Sequence, residues 1–153
     1  MISYKVMMMV CNVKFRKRAT CKCENIKRFE ILLVVDTAVG VPFMGRKMMA
    51  MSSPLLEITI DGETMMIKNS SLIRTVEYKF KLGEEYEEHM PNAVIKSVTT
   101  IVNDNELITK SVVPESNETC GRHYLFTDDE CVITLTHDRV KTPAKRYFRR
   151  VKE

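Results

Sequence analysis

The side chains of this chain that can do chemistry fall into four groups, and their spacing decides what each can do. His89, His123 and His137 lie far apart and show neither metal-ligand spacing nor a nucleophile partner. Cys21-Lys22-Cys23 is too tight for a structural zinc site, and the remaining cysteines, Cys11, Cys120 and Cys131, form no C-x-x-C pair. Glu84-Glu85 and Glu87-Glu88 read as an exposed acidic turn, not as two carboxylates with separated pKa values. The fourth group is the C-terminal run KRYFRRVK. In an extended strand Arg146 and Phe148 share a face, and Tyr147 points the other way. An arginine turned into a protein interior keeps its proton and demands an anion, which it binds by charge-assisted, often bidentate hydrogen bonds. With Lys145, Arg149 and Arg150 as neighbours, Arg146 reads equally as one more solvated surface charge.

These patterns contain no catalytic constellation, and the sequence holds no phosphate loop and no dinucleotide fingerprint. No catalytic residue, metal or cofactor is therefore expected. The mixture of basic and aromatic residues at the C-terminus resembles a nucleic-acid-binding surface. The charge distribution argues against that. Residues 1–37 carry eight Lys/Arg against three Asp/Glu, whereas the remaining 116 carry 16 against 17. The net charge of +4 belongs to the N-terminal block, and no nucleic-acid partner is expected.

The elements that must position Arg146 read as strands. LLEITIDGETMMIKN alternates around Asp61-Gly62, and a D-G pair between alternating runs predicts a hairpin. In VEYKFKLGEEYEE, Tyr78, Phe80 and Leu82 share one face, and Lys79 and Lys81 share the other. That is period two. Further strands follow around turns at Asn103-Asp104-Asn105 and Asp128-Asp129. Many short strands with tight turns predict an all-β, up-and-down meander, and closure into a barrel removes its edges. Thr59, Thr64, Thr99 and Thr109 place polar groups on both faces, as a barrel around a wet, ligand-holding cavity tolerates. Ala38 to Met51 is helix-like in its second half and ends at Pro54.

The segment AVGVPFMGRKMMAMSSPLLEITIDGETMMIK carries a specific resemblance. Its Gly40-Val41-Pro42-Phe43, Arg46-Lys47, Pro54 and Asp61-Gly62 stand at the spacing of the cytosolic fatty-acid-binding proteins, a calycin-type intracellular lipid-binding family. FKLGEEYEE (Phe80 to Glu88) resembles that family's FKLGEEFDE, and IKSVTTIVNDNELI its following strand pair. DDECVITLTHDRV and RYFRRV are similar to its last two strands, with Phe148 at a position the family gives to tyrosine. The resemblance implies a ten-stranded barrel under a helical lid. It implies a non-enzymatic carrier that holds one long-chain fatty acid or similar lipid.

Carried over residue by residue, the resemblance assigns the ligand carboxylate to Arg146, with Phe148 beside it but unable to donate the tyrosine's hydrogen bond. A second carboxylate position falls on Arg122 or Tyr124, depending on the direction of counting; the two share strand parity. Val41, Met49, Pro54 and Ile73 match cavity or portal positions, and ordinary core is an equal reading for each. Arg46 and Lys47 would steer a carrier toward anionic membranes, or simply form a solvated helix face. A retinoid-type ligand remains an alternative, as do a membrane-associated interaction protein and a splice variant that binds nothing.

Residues 1–37 depart from the family pattern. They lack its G-x-W strand motif and its N-F-D-x-Y-like helix, so the expected division is an atypical segment 1–37 and a barrel over 38–153. The apolar stretch Val6 to Val13 runs directly into Lys14-Phe15-Arg16-Lys17-Arg18 without a small-residue cleavage site. A cytoplasmic, monomeric protein with reduced cysteines is the expectation.

Overall fold

A computed structural model describes residues 19–26, 44, 47, 53–71, 74–90 and 93–151, with only the backbone considered over 19–26. These residues are all-β in their regular pairing, in ten strands. They are β1 (Ala19–Ile26), β2 (Leu55–Asp61), β3 (Thr64–Ser70), β4 (Thr75–Lys81) and β5 (Glu85–Met90), followed by β6 (Ala93–Asn103), β7 (Glu106–Val113), β8 (Glu118–Phe126), β9 (Glu130–His137) and β10 (Val140–Arg150). They form one antiparallel sheet in the order β4-β3-β2-β1-β10-β9-β8-β7-β6-β5.

Each expected turn is where the sequence placed it, to within a residue. The first hairpin turns on Gly62-Glu63, one residue beyond the centre of the D-G signal, with Asp61 paired to Thr64. Gly62 takes φ 64°, a conformation in which a side chain would be strained. Gly83 does the same at φ 78° between β4 and β5, and its N–H donates to Thr99 O at 2.9 Å. That bond ties the turn to β6. The two end strands of the sheet, β4 and β5, are thus joined by three residues. They meet through side chains: the Phe80 and Tyr86 rings stack at 3.7 Å between centroids, 5° from parallel.

β1 lies within the segment that shows no strand pattern in sequence. Its backbone pairs with β2 (Cys21 with Ile58) and with β10 (Asn25 with Phe148), and so links the two ends of the chain's body. Of residues 38–51, only Met44 and Lys47 are described; both are helical and exposed.

Alternation builds the interior. Leu56, Ile58 and Ile60 of β2, Met65 and Ile67 of β3 and Phe80 of β4 are buried, and they join Leu107, Tyr124, Phe126, Cys131, Ile133 and Phe148 in one cluster. Each such side chain contributes about 1.5–3 kcal/mol by leaving water. Among the described residues no helix is long and apolar enough to cross a membrane.

Candidate functional site

The interior face changes character between its two halves. On β5 to β8 the buried positions include Glu88, Ser97, Thr99, Thr109 and Ser111 alongside Leu107, Tyr124 and Phe126, with Arg122 beside them. Register explains how they meet. Ser97 stands opposite Ser111 and Thr99 opposite Thr109, so the hydroxyls of each pair bond at 2.7 Å. Thr99 also bonds the Tyr86 hydroxyl at 2.9 Å. A buried hydroxyl left without a partner costs about 1–3 kcal/mol, and here each is answered by another.

Arg122 projects into this half from β8. It stands in register with Thr109 on one side and Leu135 on the other. Its Nη2 donates to Oε1 of Glu88, a residue 2% exposed. A quarter of the Arg122 side chain is still reached by solvent. Burial works against its charge, but Tyr124 and Glu88 more than offset that, and its pKa is raised.

The acidic run is therefore not uniformly an exposed turn, as its sequence reads. Glu84, Glu85 and Glu87 are exposed, but Glu88 shares strand parity with Tyr86 and turns inward with it. Sequence reasoning missed Glu88 because EEYEE is so strongly charged. The signal that would have found it is the period-two spacing from Tyr86.

Arg146 and Tyr124 flank the same strand. Arg146 of β10 is in register with Ile133 of β9, which is in register with Tyr124 of β8. The two residues are thus two strands apart on one row, about 10 Å at the usual strand spacing. The Arg146 guanidinium carbon lies 5.4 Å from the centre of the Phe148 ring, and Phe148 is fully buried. This cation–π contact holds the charge inside the fold. Burial pushes the Tyr124 hydroxyl's pKa up, and Arg122 and Arg146 both pull it back. Tyr124 therefore feels both arginines. Tyr86 is pushed up to about 12 by burial, with the Thr99 hydrogen bond opposing. It stays a neutral hydroxyl at physiological pH.

The structure thus brings Arg122, Tyr124, Arg146 and Phe148 to one interior face. Pro54 is buried just ahead of β2. Val41, Met49 and Ile73 lie outside the described residues. Among the described residues no group of His, Cys, Asp and Glu could hold a metal ion; Cys120 is half-buried and Cys131 buried.

No protein-family model matches the chain. It is 36% identical to cellular retinoic acid-binding protein 2 of Homo sapiens over 119 residues, 74% of this chain and 84% of that protein. It is 35% identical to the fatty acid-binding protein of Tyrophagus putrescentiae over 88 residues, 57% of this chain and 65% of that protein. Among solved structures it superposes on the REP1-NXSQ fatty acid transporter with a TM-score of 0.76 and 25% identity, covering 87% of this chain and 96% of the other.

Proposed function

The chain belongs to the intracellular lipid-binding protein family of fatty acid-binding and cellular retinoic acid-binding proteins, and from that premise we propose that it is a non-enzymatic carrier of one long-chain fatty acid or similar lipid carboxylate. The observation that carries this reading is the row of Arg146 and Tyr124 with Arg122 beside it, cationic and hydroxylic groups turned inward on neighbouring strands. A carboxylate entering that face finds a permanently charged guanidinium in a medium where its own water has been removed. Arg146 is its principal partner, Phe148 backs Arg146 and packs on the chain, and Arg122 or Tyr124 supplies the second position. The apolar face of β2 to β4 takes the hydrocarbon.

In this reading the sheet closes as a ten-stranded barrel, with residues 38–51 as a helical lid and Val41, Met49, Pro54 and Ile73 lining the cavity or its portal. Residues 1–37 contribute a strand to a body formed by 38–153. The carrier works as a cytoplasmic monomer, and Arg46 and Lys47 steer it to anionic membranes for transfer.

The test is titration of the delipidated chain with a fluorescent fatty acid, displaced by oleate. Saturable displacement near one equivalent is the expected result, and Arg146→Ala should weaken it by about tenfold or more, the equivalent of one charge-assisted hydrogen bond. Unchanged affinity in that variant would remove Arg146 from the site. A retinoid carboxylate is the second reading, favoured by the likeness to cellular retinoic acid-binding protein 2. Competition between oleate and retinoic acid ranks the two.

A further inference from the structure

The hydroxyls of Tyr86, Thr99 and Thr109 carry three protons but make two hydrogen bonds with one another. Among the described residues they make no others. Whichever way the bonds run, one O–H is left without an acceptor among them, and a buried donor in that state is costly. Thr99 and Thr109 are sealed at 0% exposure, whereas Tyr86 is half-buried. An acceptor from outside the chain is therefore met at the Tyr86 end, with Thr109 donating to Thr99 and Thr99 to Tyr86. The Phe80 ring stacked on Tyr86 holds that phenol in place. Glu88 is the next inward position of β5, Arg122 crosses to it from β8, and Tyr86 feels the charge of both. Arg122 donates from Nη2 to Glu88, and solvent still reaches a quarter of its side chain. Donors on Tyr86 and Arg122 are thus gathered beside the acceptor oxygens of Glu88. A ligand carboxylate placed there would compete with Glu88 for Arg122. A ligand hydroxyl would not, because it accepts from Tyr86 or Arg122 and donates to Glu88. Arg122 stands two strands and two residues from Arg146, about 12 Å between Cα atoms at the usual spacings. A lipid held by its carboxylate at Arg146 would pass this place part-way along its chain.

We propose that Tyr86, Glu88 and Arg122 form a subsite for a hydroxyl in the middle of the lipid chain, so that the preferred cargo is a mid-chain hydroxy fatty acid. This rests on the carrier reading above and leaves Tyr124 as its second carboxylate position. Thr99 and Thr109 act through Tyr86, by fixing the direction in which its O–H points.

The experiment compares stearate with 10-hydroxystearate and 12-hydroxystearate, which have the same chain length and carboxylate. All three are measured by displacement of a fluorescent fatty acid from the wild type and from Tyr86→Phe, which keeps the ring stacked on Phe80 but removes its O–H. In the wild type at least one hydroxystearate should bind as tightly as stearate or more tightly, since its hydroxyl exchanges water for partners. In Tyr86→Phe the ratio of its affinity to that of stearate should fall by about fivefold, the equivalent of one hydrogen bond. An unchanged ratio would overturn the proposal, because a tyrosine that only supports the fold affects both ligands alike. So would a wild type that binds both hydroxystearates at least about tenfold more weakly than stearate, as an interior without a partner for the hydroxyl predicts. That comparison is readable even if Tyr86→Phe does not fold. A wild type that binds none of the three acids overturns the carrier reading itself, whereas the other two adverse outcomes leave that reading standing.

Discussion

The interior faces of β2 to β4 and of β5 to β8 follow the same alternation but use it differently. The first half buries Leu56, Ile58, Ile60, Met65, Ile67 and Phe80. The second buries Leu107, Tyr124 and Phe126 too, but adds Glu88, Ser97, Thr99, Thr109 and Ser111 around Arg122. Both halves satisfy the physics of burial, one by excluding water from hydrocarbon and the other by pairing every polar group it encloses. The lesson is that period two reports which residues face inward, whereas the chemistry at those positions reports what the interior is for.

Breaking the apolar half should cost the most stability. Leu56→Ala should lower unfolding free energy by about 3 kcal/mol, within the range for a buried leucine truncated to alanine, as measured by urea denaturation. It should leave any preference among charged ligands unchanged. A loss below about 1 kcal/mol would mean that the site collapses around the cavity and that this half is not a packed core.

A smaller loss is expected in the polar half. Thr99→Val keeps the shape but removes the hydroxyl that Tyr86 and Thr109 share, and should cost about 1–2 kcal/mol. Smaller again is the double variant Ser97→Ala/Ser111→Ala. Either single change leaves one buried hydroxyl unanswered, but the double removes both, so it should be more stable than the sum of the singles predicts. Strict additivity in that cycle would show that the two hydroxyls do not depend on each other.

The mildest effect is on alkaline stability. Tyr86 has its folded-state pKa raised to about 12, above the ordinary value of about 10. The folded state therefore holds this proton more tightly than the unfolded one. Its contribution is fully present below pH ~10 and is lost as pH rises through about 12. Ultraviolet titration of the tyrosinate band should show a late component that Tyr86→Phe diminishes. Thr99→Val should delay that component further, because the Thr99 hydrogen bond favours the ionised form.

Much of this was open to sequence reading. Asp61-Gly62, Gly83 and the alternation of Tyr78, Phe80 and Leu82 announce strands and turns, because hairpin geometry and pleating act on adjacent residues. Arg146 and Phe148 could be placed on one face for the same reason, and so could Arg122 and Tyr124. β1 was not legible. ATCKCENI carries no strong strand signature, and its place is set by the backbone partners on either side, β2 and β10, both distant in sequence.

By itself, then, the sequence determined the local period, the turns and the inward parity of each candidate side chain, since these follow from steric rules within a few residues. Tertiary structure alone decided which charge each arginine meets. Glu88 and Arg122 are 34 residues apart, and no local pattern relates them. They pair because the sheet curls two non-adjacent strands toward each other, and because a carboxylate drawn out of water must find a cation.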